Sequence, residues 1–564
     1  MIILREISMR GKMAMRGFSR SYVRRYSTAV IKSPFGNVTI PDQTLSQFVW
    51  SRSAKWEELP AVTCGVTGRF YTYGMAKMLH NRGAKALLER VRLNPGDRVG
   101  LLLPNIPEYL ITVHSCAEAG LTITFANPLY TAEELVRQFK NAEVKCIITV
   151  PQLLETALKV MRNLPNYTQT ISIGGDTEPD KNVLGMQSLL AENYDVTLPE
   201  VKSTDVAVLP YSSGTTGLPK GVMLSHKNLV ANLMQVSHPE VTNVLSPSEG
   251  FQETILTVLP FFHIYGFNAI LNFLIYHGGH IITMPRFTPE DYLQCLEKYK
   301  PTVLFVVPSL LLFLATHPSV TPQRLDSIKR IVCGAAPASK NLIDKFKQKL
   351  NHDDCVINQG YGMTETSPVT LYTPQSMPSS KVGSCGQLVP STEARIIDLT
   401  NGTDITEPLK PGELLVKGPQ IMKGYLNNPK ATSEVIDSNG WLHTGDVGYY
   451  DDDGYFYIVD RTKELIKVKG NQVSPTELES ILLELPEVAD VAVVGVPDTL
   501  AGELPKAFIV KKPNTNLTAE IINHHIDPKV AAYKRLTGGI TFIDAIPRNP
   551  SGKILRNQLK VLGK

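Results

Sequence analysis

Cysteine is scarce in this sequence, and its cysteines are not arranged as a metal site. The 564 residues include seven of them: Cys64, Cys116, Cys146, Cys295, Cys333, Cys355 and Cys385. None forms a C-x-x-C pair, the spacing that is typical of zinc sites and of disulfide frameworks in small secreted domains. The cysteine pattern therefore argues against both kinds of site and indicates a protein of a reducing compartment.

Long hydrophobic runs are also missing. The longest one, at residues 303–315, contains a proline and is shorter than the roughly 20 apolar residues that span a bilayer. We therefore expect no transmembrane segment. The composition, with 43% hydrophobic and 20% charged residues, is that of an ordinary globular protein, and the length is enough for about three to four domains.

Acidic residues are nearly absent from the N-terminal segment. Residues 1–26 contain seven Arg and Lys side chains against the single acid Glu6. Such a basic, serine-containing segment is typical of a mitochondrial presequence, and "RRYSTA" at residues 24–29 resembles a processing site with cleavage after Tyr26. A basic tail without a targeting role is the alternative. We expect the mitochondrial matrix, with a peroxisome or the cytoplasm as alternatives, although the final letters "VLGK" are not the peroxisomal S-K-L signal.

Excess positive charge is confined to that segment. The whole chain has a net charge of +4, and residues 1–26 alone contribute +6, so the remainder is slightly negative. Proteins that bind nucleic acid normally concentrate Lys and Arg to neutralise phosphates. We therefore expect no nucleic-acid partner.

Strand-like and helix-like segments alternate over the first 380 residues or so. "RVGLLL" (98–103) and "VKCIITV" (144–150) have the length of buried strands, and "YTAEELVRQFKNA" (130–142) has helical periodicity. A second round follows: "TILTVLP" (254–260), "HIITMP" (280–285), "PTVLFVVP" (301–308) and "RIVCGAAP" (330–337). This alternation predicts βαβ units with parallel sheets. Shorter strand and turn patterns at residues 380–460 predict antiparallel β structure.

A new pattern begins after Asp460, where "PTELESILLELPEVADVAVVGVPD" predicts a helix followed by an apolar strand. We predict an α/β fold whose large N-terminal domain has mostly parallel α/β subdomains plus an antiparallel β region. A small, mobile α+β C-terminal domain completes it. The predicted boundaries are a presequence at 1–26, the large domain at 40–460, a hinge at 461–463 and the small domain at 464–564.

The segment "YSSGTTGLPKGV", residues 211–222, has the composition of a phosphate-binding turn. Glycines allow backbone amides to converge on an anion, while hydroxyls and a lysine add donors and charge. It is not a Walker loop, G-x-x-x-x-G-K-[ST], because Lys220 follows Pro219 and precedes Gly221. We expect this turn to connect the strand "VAVLPYSS" to a helix that begins near "SHKNLVANLM".

This segment resembles the phosphate loop of the adenylate-forming enzymes, which include acyl-CoA synthetases, 4-coumarate–CoA ligases and firefly luciferase. Six further motifs of that family follow in order: "LPFFHIYGFN" (259–268), "GAAPAS" (334–339), "NQGYGMTETSPV" (358–369), "GELLVKGPQIMKGY" (412–425), "GWLHTGDVGYYDDDGYFYIVDRTKELIKVKGNQV" (440–473) and "NPSGKIL" (549–555). The resemblance covers residues 40–564. It implies that a carboxylic acid attacks the α-phosphorus of ATP to give acyl-AMP, after which the thiol of CoA displaces AMP. ATP, Mg²⁺ and CoA are the implied cofactors.

The resemblance also implies roles for the residues around ATP. Tyr361 would stack on adenine, Thr364 would hydrogen-bond the α-phosphate, and Glu365 would hold Mg²⁺. Asp446 would accept the ribose hydroxyls, and Arg461 would fix the ribose. The full set implied for ATP and AMP is Ser212, Ser213, Gly214, Thr215, Thr216, Gly217, Lys220, Gln359, Gly360, Tyr361, Gly362, Asp446 and Arg461.

Two lysines are implied to serve the two half-reactions in turn. Lys553, in the turn "NPSGK", would bridge the carboxylate and the α-phosphate during adenylation. The C-terminal domain would then rotate about Lys463 and present a second surface, for which a plain solvated strand edge is the alternative. The residues implied for CoA and thioester formation are Lys467, Gly470 and Gln472.

The motifs also imply a pocket for the acid. Its residues would be His263, Tyr265, Gly334, Gly362, Pro368 and Val369, with Phe267, Ala269 and Gly360 at further matching positions. None of these is basic, so we expect an apolar tail on the acid. His263 would act as a gate between the acid and thiol sites, although a histidine among apolar residues is also typical of a core. The catalytic candidates are thus Lys553, Lys467, His263 and Thr364.

Two classes of acid fit these motifs. "HIYGFN" and the Pro368–Val369 pair resemble 4-coumarate–CoA ligase, whereas "TETSPV" departs from the Ala-Gly that plant coumarate ligases carry before Pro-Val. With the expected mitochondrial address, we favour a medium- or long-chain fatty acid and keep an arylpropenoic acid as the alternative. A luciferase-like oxygenase, a catalytically inactive binding module and a synthetase that loads a carrier protein are further hypotheses. Pro368 argues against the first of these, and the complete set of implied catalytic residues argues against the second.

Overall fold

The structure is a computed structural model that describes residues 29–212, 219–242, 244–336, 338–469, 471–549 and 552–562, with only the backbone at Ser379 and Gln472. The predicted presequence, residues 1–26, lies outside these ranges. So do several predicted site residues: Ser213, Gly214, Thr215, Thr216, Gly217 and Gly470.

The described residues form many short strands and helices, numbered here along the chain. The strands are β1 (Ile31–Lys32), β2 (Pro60–Cys64), β3 (Phe70–Thr72), β4 (Arg98–Leu102), β5 (Thr122–Phe125), β6 (Val144–Thr149), β7 (Gln169–Ser172), β8 (Val183–Gly185), β9 (Val206–Val208), β10 (Tyr211–Ser212), β11 (Lys220–Ser225), β12 (Thr254–Thr257), β13 (His280–Thr283), β14 (Val303–Val306), β15 (Arg330–Cys333), β16 (Val356–Gly362), β17 (Val369–Tyr372), β18 (Gln387–Leu388), β19 (Glu393–Ile397), β20 (Gly412–Lys417), β21 (Gly424–Tyr425), β22 (Leu442–Tyr450), β23 (Phe456–Arg461), β24 (Ile466–Val468), β25 (Asn471–Val473), β26 (Val488–Asp498), β27 (Gly502–Lys511) and β28 (Ile540–Phe542). The helices are α1 (Leu45–Val49), α2 (Tyr73–Glu89), α3 (Glu108–Glu118), α4 (Ala132–Asn141), α5 (Pro151–Met161), α6 (Met186–Ala191), α7 (His226–Val236), α8 (Phe273–His277), α9 (Pro289–Tyr299), α10 (Pro308–Thr316), α11 (Pro322–Leu325), α12 (Lys340–Lys347), α13 (Pro429–Val435), α14 (Pro475–Leu482), α15 (Ala519–Ile526) and α16 (Arg556–Leu562).

The first sheet has the strand order β10-β11-β9-β5-β4-β6-β7-β8, and β4 to β8 pair in parallel. Helix α4 connects β5 to β6 and begins with a capping box, because the Thr131 hydroxyl accepts from the Glu134 amide and the Glu134 carboxylate accepts from the Thr131 amide. Leu135 and Phe139 of this helix are fully buried. The βαβ alternation predicted for this region is therefore confirmed.

The second sheet positions the pocket described below. Its order is β18-β17-β16-β15-β14-β12-β13-β2-β3, with parallel pairing from β2 through β16 and antiparallel pairing at both edges. The four strands predicted from the second apolar round are β12 to β15, and their buried faces are rich in Val, Ile and Leu. Parallel strands end at one edge of the sheet, and such edges are where α/β proteins bind ligands.

An antiparallel sheet, β1-β19-β20-β22-β23, and a separate C-terminal sheet complete the fold. The C-terminal sheet has the order β25-β24-β27-β26, with β28 beside β27, and it shares an apolar cluster with α14 and α15. The connection between the two sheets runs from Arg461, which ends β23, to Ile466, which begins β24. Both the antiparallel region and the small α+β domain are as predicted.

One local expectation was right only in part: helix α7 begins where it was predicted, but the strand β11 precedes it. The predicted phosphate turn does not lead directly into a helix, because β10 and β11 flank it and pair in antiparallel fashion, with Ser212 opposite Lys220. Helix α7 begins only after β11, where the Ser225 hydroxyl accepts from the Asn228 amide at 3.2 Å. The predicted phosphate turn therefore belongs to a β-hairpin, and no helix N-terminus follows it immediately.

All seven cysteines lie in the described ranges, where each is buried and free. No helix of the described residues combines the length and the apolar character needed to cross a bilayer.

Candidate active site

An apolar pocket opens where the carboxyl ends of β14, β15 and β16 meet the helical segment Tyr265–Asn272. It encloses about 740 Å³, including its open mouth. The six residues of the main predicted set line it, and so do two of the three further matching positions, Ala269 and Gly360: the six are His263, Tyr265, Gly334, Gly362, Pro368 and Val369. None of its described lining residues is Lys, Arg, Asp or Glu. The structure therefore gathers the predicted set around a space suited to an apolar group.

Part of the pocket wall had not been predicted. Among these additional residues are Val236, Val241, Val244, Phe273, Phe305 and Tyr372. They come from elements far apart in the sequence and carry no reactive group, so no motif indicated them. Conversely, Phe267 does not line the pocket, because its buried ring packs against Phe125 with ring centroids 4.7 Å apart.

Two glycines allow the pocket to form. A Cβ atom on Gly334 would lie 3.2 Å from the Tyr265 ring, and one on Gly362 would lie 1.9 Å from the carbonyl oxygen of Pro368. The ring of Tyr265 is held in place because its hydroxyl donates to the Val332 carbonyl at 3.2 Å. Any larger residue at either glycine would therefore displace the wall.

His263 lies at the pocket wall, and its Nδ1 accepts a hydrogen bond from the Tyr265 amide at 3.3 Å. Burial among apolar groups lowers the pKa of His263 to about 4. The imidazole is therefore neutral at pH 7 and adds no charge to the pocket. Because Nδ1 accepts a hydrogen bond, the ring proton lies on Nε2.

A cluster of polar side chains lies near the C-terminal end of β16 and consists of Tyr361, Asp446 and Arg461. Asp446 and Arg461 face each other across β22 and β23, with Arg461 Nε 3.1 Å from Asp446 Oδ1. The Tyr361 hydroxyl donates to Asp446 Oδ2 at 2.6 Å. Burial raises the pKa of Asp446, and the Arg461 charge and the Tyr361 hydrogen bond oppose that rise. The result is a buried carboxylate with both oxygens engaged, next to the pocket that Tyr361 also lines.

Two other predicted nucleotide residues are placed differently. The Gln359 side chain is buried and its Oε1 accepts from the Ala338 amide at 2.9 Å, so it supports the loop after β15. Thr364 begins a short helical turn, Thr364–Thr366, directly after the tip of β16 and is partly exposed. Gly360 also lines the pocket.

Glu365, in the same turn, is only 5% exposed. Its Oε1 accepts from the Ser212 hydroxyl and from the Tyr425 hydroxyl, each at 2.9 Å. Within the described part of the chain, no Lys, Arg or His lies within ion-pair distance of this carboxylate. Lys220 lies nearby, with Nζ 5.0 Å from the centroid of the Tyr425 ring.

Glu365 fits the predicted magnesium site. Proteins commonly bind Mg²⁺ through one or two carboxylates that act together with phosphate oxygens and water. A buried carboxylate without a cationic partner is costly, and a bound cation would compensate it. The described residues contain no cluster of three His, Cys, Asp or Glu side chains that could hold a metal without such outside ligands.

The turn that carries Lys553 is docked at this site. The Lys553 amide donates to Asn549 Oδ1 at 2.8 Å, and a Cβ atom on Gly552 would lie 3.0 Å from Val307 of the large domain. The Nζ of Lys553 is 3.6 Å from Glu464 Oε1. Burial and the nearby Arg461 charge lower the pKa of Lys553, whereas Glu464 and Asp446 oppose this. The structure thus brings Lys553 together with Arg461 and Asp446.

Lys467 is not part of that cluster. It lies on β24 opposite Gln472 of β25, its side chain is exposed, and its amide donates to Glu503 Oε2 at 2.9 Å. The Gln472 side chain and the whole of Gly470 lie outside the described atoms. Lys463 is exposed in the connection between the domains. The structure therefore presents one of the two predicted catalytic lysines to the site.

Comparisons with known proteins bear on this arrangement. Residues 49–426 match the family model described as AMP-binding enzyme, and residues 477–553 match the AMP-binding enzyme C-terminal domain. The chain is 39% identical to 4-coumarate–CoA ligase 2 of Oryza sativa subsp. japonica over 549 residues, which are 95% of each protein. It is 38% identical to 4-coumarate–CoA ligase of Vanilla planifolia over 542 residues, 94% of this chain and 96% of the relative.

A solved structure matches over the same length. The crystal structure of ATP-bound MatB from Rhodopseudomonas palustris aligns with a TM-score of 0.82 and 26% identity, over 93% of this chain and 100% of that one. The matches extend across the pocket, the Asp446 cluster and the C-terminal domain. The chain therefore belongs to the AMP-binding, adenylate-forming enzymes, and it is an AMP-forming acid–CoA ligase.

Proposed function

We propose that the protein joins an arylpropenoic acid, of the 4-coumaric acid type, to CoA. The observation that carries this proposal is the pocket, because its described walls carry no charged side chain and include the aromatic rings of Tyr265, Phe305 and Tyr372. Relatives at 38% and 39% identity are named 4-coumarate–CoA ligases. Together these observations support the arylpropenoic alternative over the fatty acid that the sequence had favoured.

In the first half-reaction, a carboxylate oxygen bonds to the α-phosphorus of ATP, and the bond from that phosphorus to pyrophosphate breaks. Both reactants are anions, so positioning and charge neutralisation supply most of the rate enhancement. We assign to Lys553 the neutralisation of the carboxylate and the α-phosphate, because the Gly552 turn delivers it beside Arg461 and Asp446. Thr364, at the tip of β16, would donate to the same phosphate.

Asp446 and Arg461 would hold the ribose, and Tyr361 would stack on adenine while its hydroxyl keeps Asp446 in place. Ser212 and Lys220 flank the turn that would take the outer phosphates. Mg²⁺, held by Glu365 together with phosphate oxygens and water, would neutralise charge on the phosphates.

In the second half-reaction, the sulfur of CoA bonds to the acyl carbon, the bond from that carbon to the AMP oxygen breaks, and the thiol proton is released. We assign Lys467, Gln472 and Gly470 to this step. They would reach the site when the C-terminal domain rotates about Lys463 and withdraws Lys553. The neutral His263 would separate the acid from the incoming thiol.

The test uses the purified full-length chain with MgATP, CoA and a matched panel of 4-coumaric, cinnamic, benzoic, hexanoic and palmitic acids. AMP and pyrophosphate release are followed. We expect AMP release that requires both acid and CoA, with the highest kcat/KM for 4-coumaric or cinnamic acid. A higher kcat/KM for hexanoic or palmitic acid would refute the proposed substrate class, and no AMP with any acid would refute the ligase assignment in this chain.

We further propose that residues 1–26 direct the chain to the mitochondrial matrix, on the strength of their basic, acid-poor composition. N-terminal sequencing of the native protein should then find a chain that begins near Ser27. A native protein that begins at Met1 would refute the proposal.

A further inference from the structure

Tyr425, the last residue of the motif at 412–425, links two residues at the phosphate site, Glu365 and Lys220. No role was predicted for it from the sequence. It is 7% exposed, its hydroxyl donates to Glu365 Oε1 at 2.9 Å, and its ring lies under Lys220 Nζ at 5.0 Å. One side chain therefore contacts both the carboxylate proposed to hold Mg²⁺ and the lysine proposed to bind phosphate.

The backbone holds Tyr425 firmly in this position. Strand β21 pairs with β11, so that Tyr425 lies opposite Val222, and the Leu426 amide donates to the Gly221 carbonyl at 2.8 Å. The Tyr425 amide itself donates to Thr432 Oγ1 at 2.9 Å. Strand β11 begins at Lys220, so the pairing also fixes the end of the phosphate turn.

The Tyr425 hydroxyl controls the direction of the Glu365 carboxylate. Both Tyr425 and Ser212 donate to Oε1, and among the described residues none donates to Oε2. The second oxygen is thus left for a ligand outside the protein chain. Removing a hydrogen bond that orients a metal ligand typically costs roughly 10–100-fold in metal affinity or activity.

The Tyr425 ring controls the lysine. An ammonium group over the face of an aromatic ring is attracted to it, and this attraction holds the Lys220 stem in one direction while its hydrogens remain available to an anion. The Tyr425 hydroxyl and ring therefore act on two different ligand groups.

We propose that Tyr425 is a positioning residue that turns Glu365 toward Mg²⁺ and Lys220 toward the phosphates of ATP. This inference rests on the proposed function of the site. Two variants separate the effect on Glu365 from the effect on Lys220. Tyr425→Phe removes only the hydroxyl, whereas Tyr425→Leu removes the ring as well.

The test measures equilibrium binding of ATP by titration calorimetry, with Mg²⁺ and with EDTA, in the full-length chain. We expect Tyr425→Phe to raise the Kd of MgATP roughly tenfold and to leave the Kd of metal-free ATP unchanged. Tyr425→Leu should raise both. Tyr450→Phe is the matched control, since it removes another buried tyrosine hydroxyl, which donates to the Thr406 carbonyl at 2.8 Å, and should change neither Kd.

The Mg²⁺ dependence of acyl-AMP formation provides a second readout. Tyr425→Phe should need more Mg²⁺ for half-maximal rate, with kcat at saturating Mg²⁺ close to wild type. If Tyr425→Phe matches wild type in both measurements while wild type forms acyl-AMP normally, the inference is refuted and the proposed function stands. If wild type itself forms no acyl-AMP and binds MgATP no better than ATP, the proposed function falls and the role of Tyr425 falls with it.

Discussion

Replacing Lys553 with alanine should separate the two half-reactions. The Nζ of Lys553 is 3.6 Å from Glu464 and shares its surroundings with Arg461 and Asp446, whereas Lys467 is exposed on β24. Lys553→Ala therefore removes a positive charge from the place where the carboxylate and the α-phosphate are expected to meet. It leaves the β24 surface unchanged.

The expected loss follows from the kind of contact removed. A preorganised charged donor that stabilises charge in the transition state is worth about 3–4 kcal/mol, which corresponds to roughly 10²–10³-fold in rate. Acyl-AMP formation by Lys553→Ala should fall by about that factor. The thiol step, measured with supplied acyl-AMP and CoA, should change by less than about threefold, since Lys553 is proposed to withdraw before it.

Single-turnover pyrophosphate release measures the first step, and thioester formation from supplied acyl-AMP measures the second. Lys467→Ala should show the opposite pattern. Matched controls are Lys560→Ala for the first variant and Lys469→Ala for the second, because both lysines belong to the same domain and neither is proposed to touch a reactant. Equal losses in both half-reactions for Lys553→Ala would refute the division of labour.

Three further predictions follow from the pocket, the lysine environment and the buried histidines. Gly334→Val should lower kcat/KM for the acid roughly tenfold and leave the KM for ATP unchanged, since even a Cβ atom would lie 3.2 Å from Tyr265. An unchanged kcat/KM for the acid would contradict the pocket assignment. Glu464→Gln removes a carboxylate that opposes the lowered pKa of Lys553, so the alkaline limb of the adenylation pH profile should move to lower pH, and a shift to higher pH would contradict this. Burial lowers the pKa values of His226 and His277 to about 4, so below pH 6.5 these two histidines bind protons in the unfolded chain but not in the folded chain. The free energy of unfolding, measured by urea denaturation, should therefore be lower at pH 5 than at pH 7. This difference should be smaller in His226→Gln.

Much of the fold could be predicted because its signals are local. The run "VKCIITV" is mostly apolar and forms β6, and Thr131 and Glu134, three residues apart, mark the start of α4. The hairpin at the phosphate turn could not be predicted in the same way. Lys220 begins a strand there because β11 gains partners on β9, β10 and β21, and the pairing with β21, where Val222 lies opposite Tyr425, joins distant parts of the chain.

Some residues of the candidate site could be predicted from the sequence, and others could not. Lys553, Asp446 and Glu365 could be predicted because they lie in motifs that resemble those of a family, and the order of motifs can be read from the sequence. Tyr425 ends one of those motifs, but its contacts with Glu365 and Lys220 depend on the pairing of β21 with β11. Phe305 lies outside the motifs, and it reaches the pocket because of which apolar faces meet.

The family, the order of the elements and the two-domain plan could be predicted from the sequence alone, since side-chain identity and local periodicity are properties of short segments of chain. The orientation of Glu365, the packing of Tyr265 on Gly334, and the placement of Lys553 rather than Lys467 near Arg461 and Asp446 depend on the tertiary structure. Those properties depend on distances of a few ångströms between residues separated by tens to hundreds of positions. Such distances are set by the close packing of the whole chain, which no local pattern records.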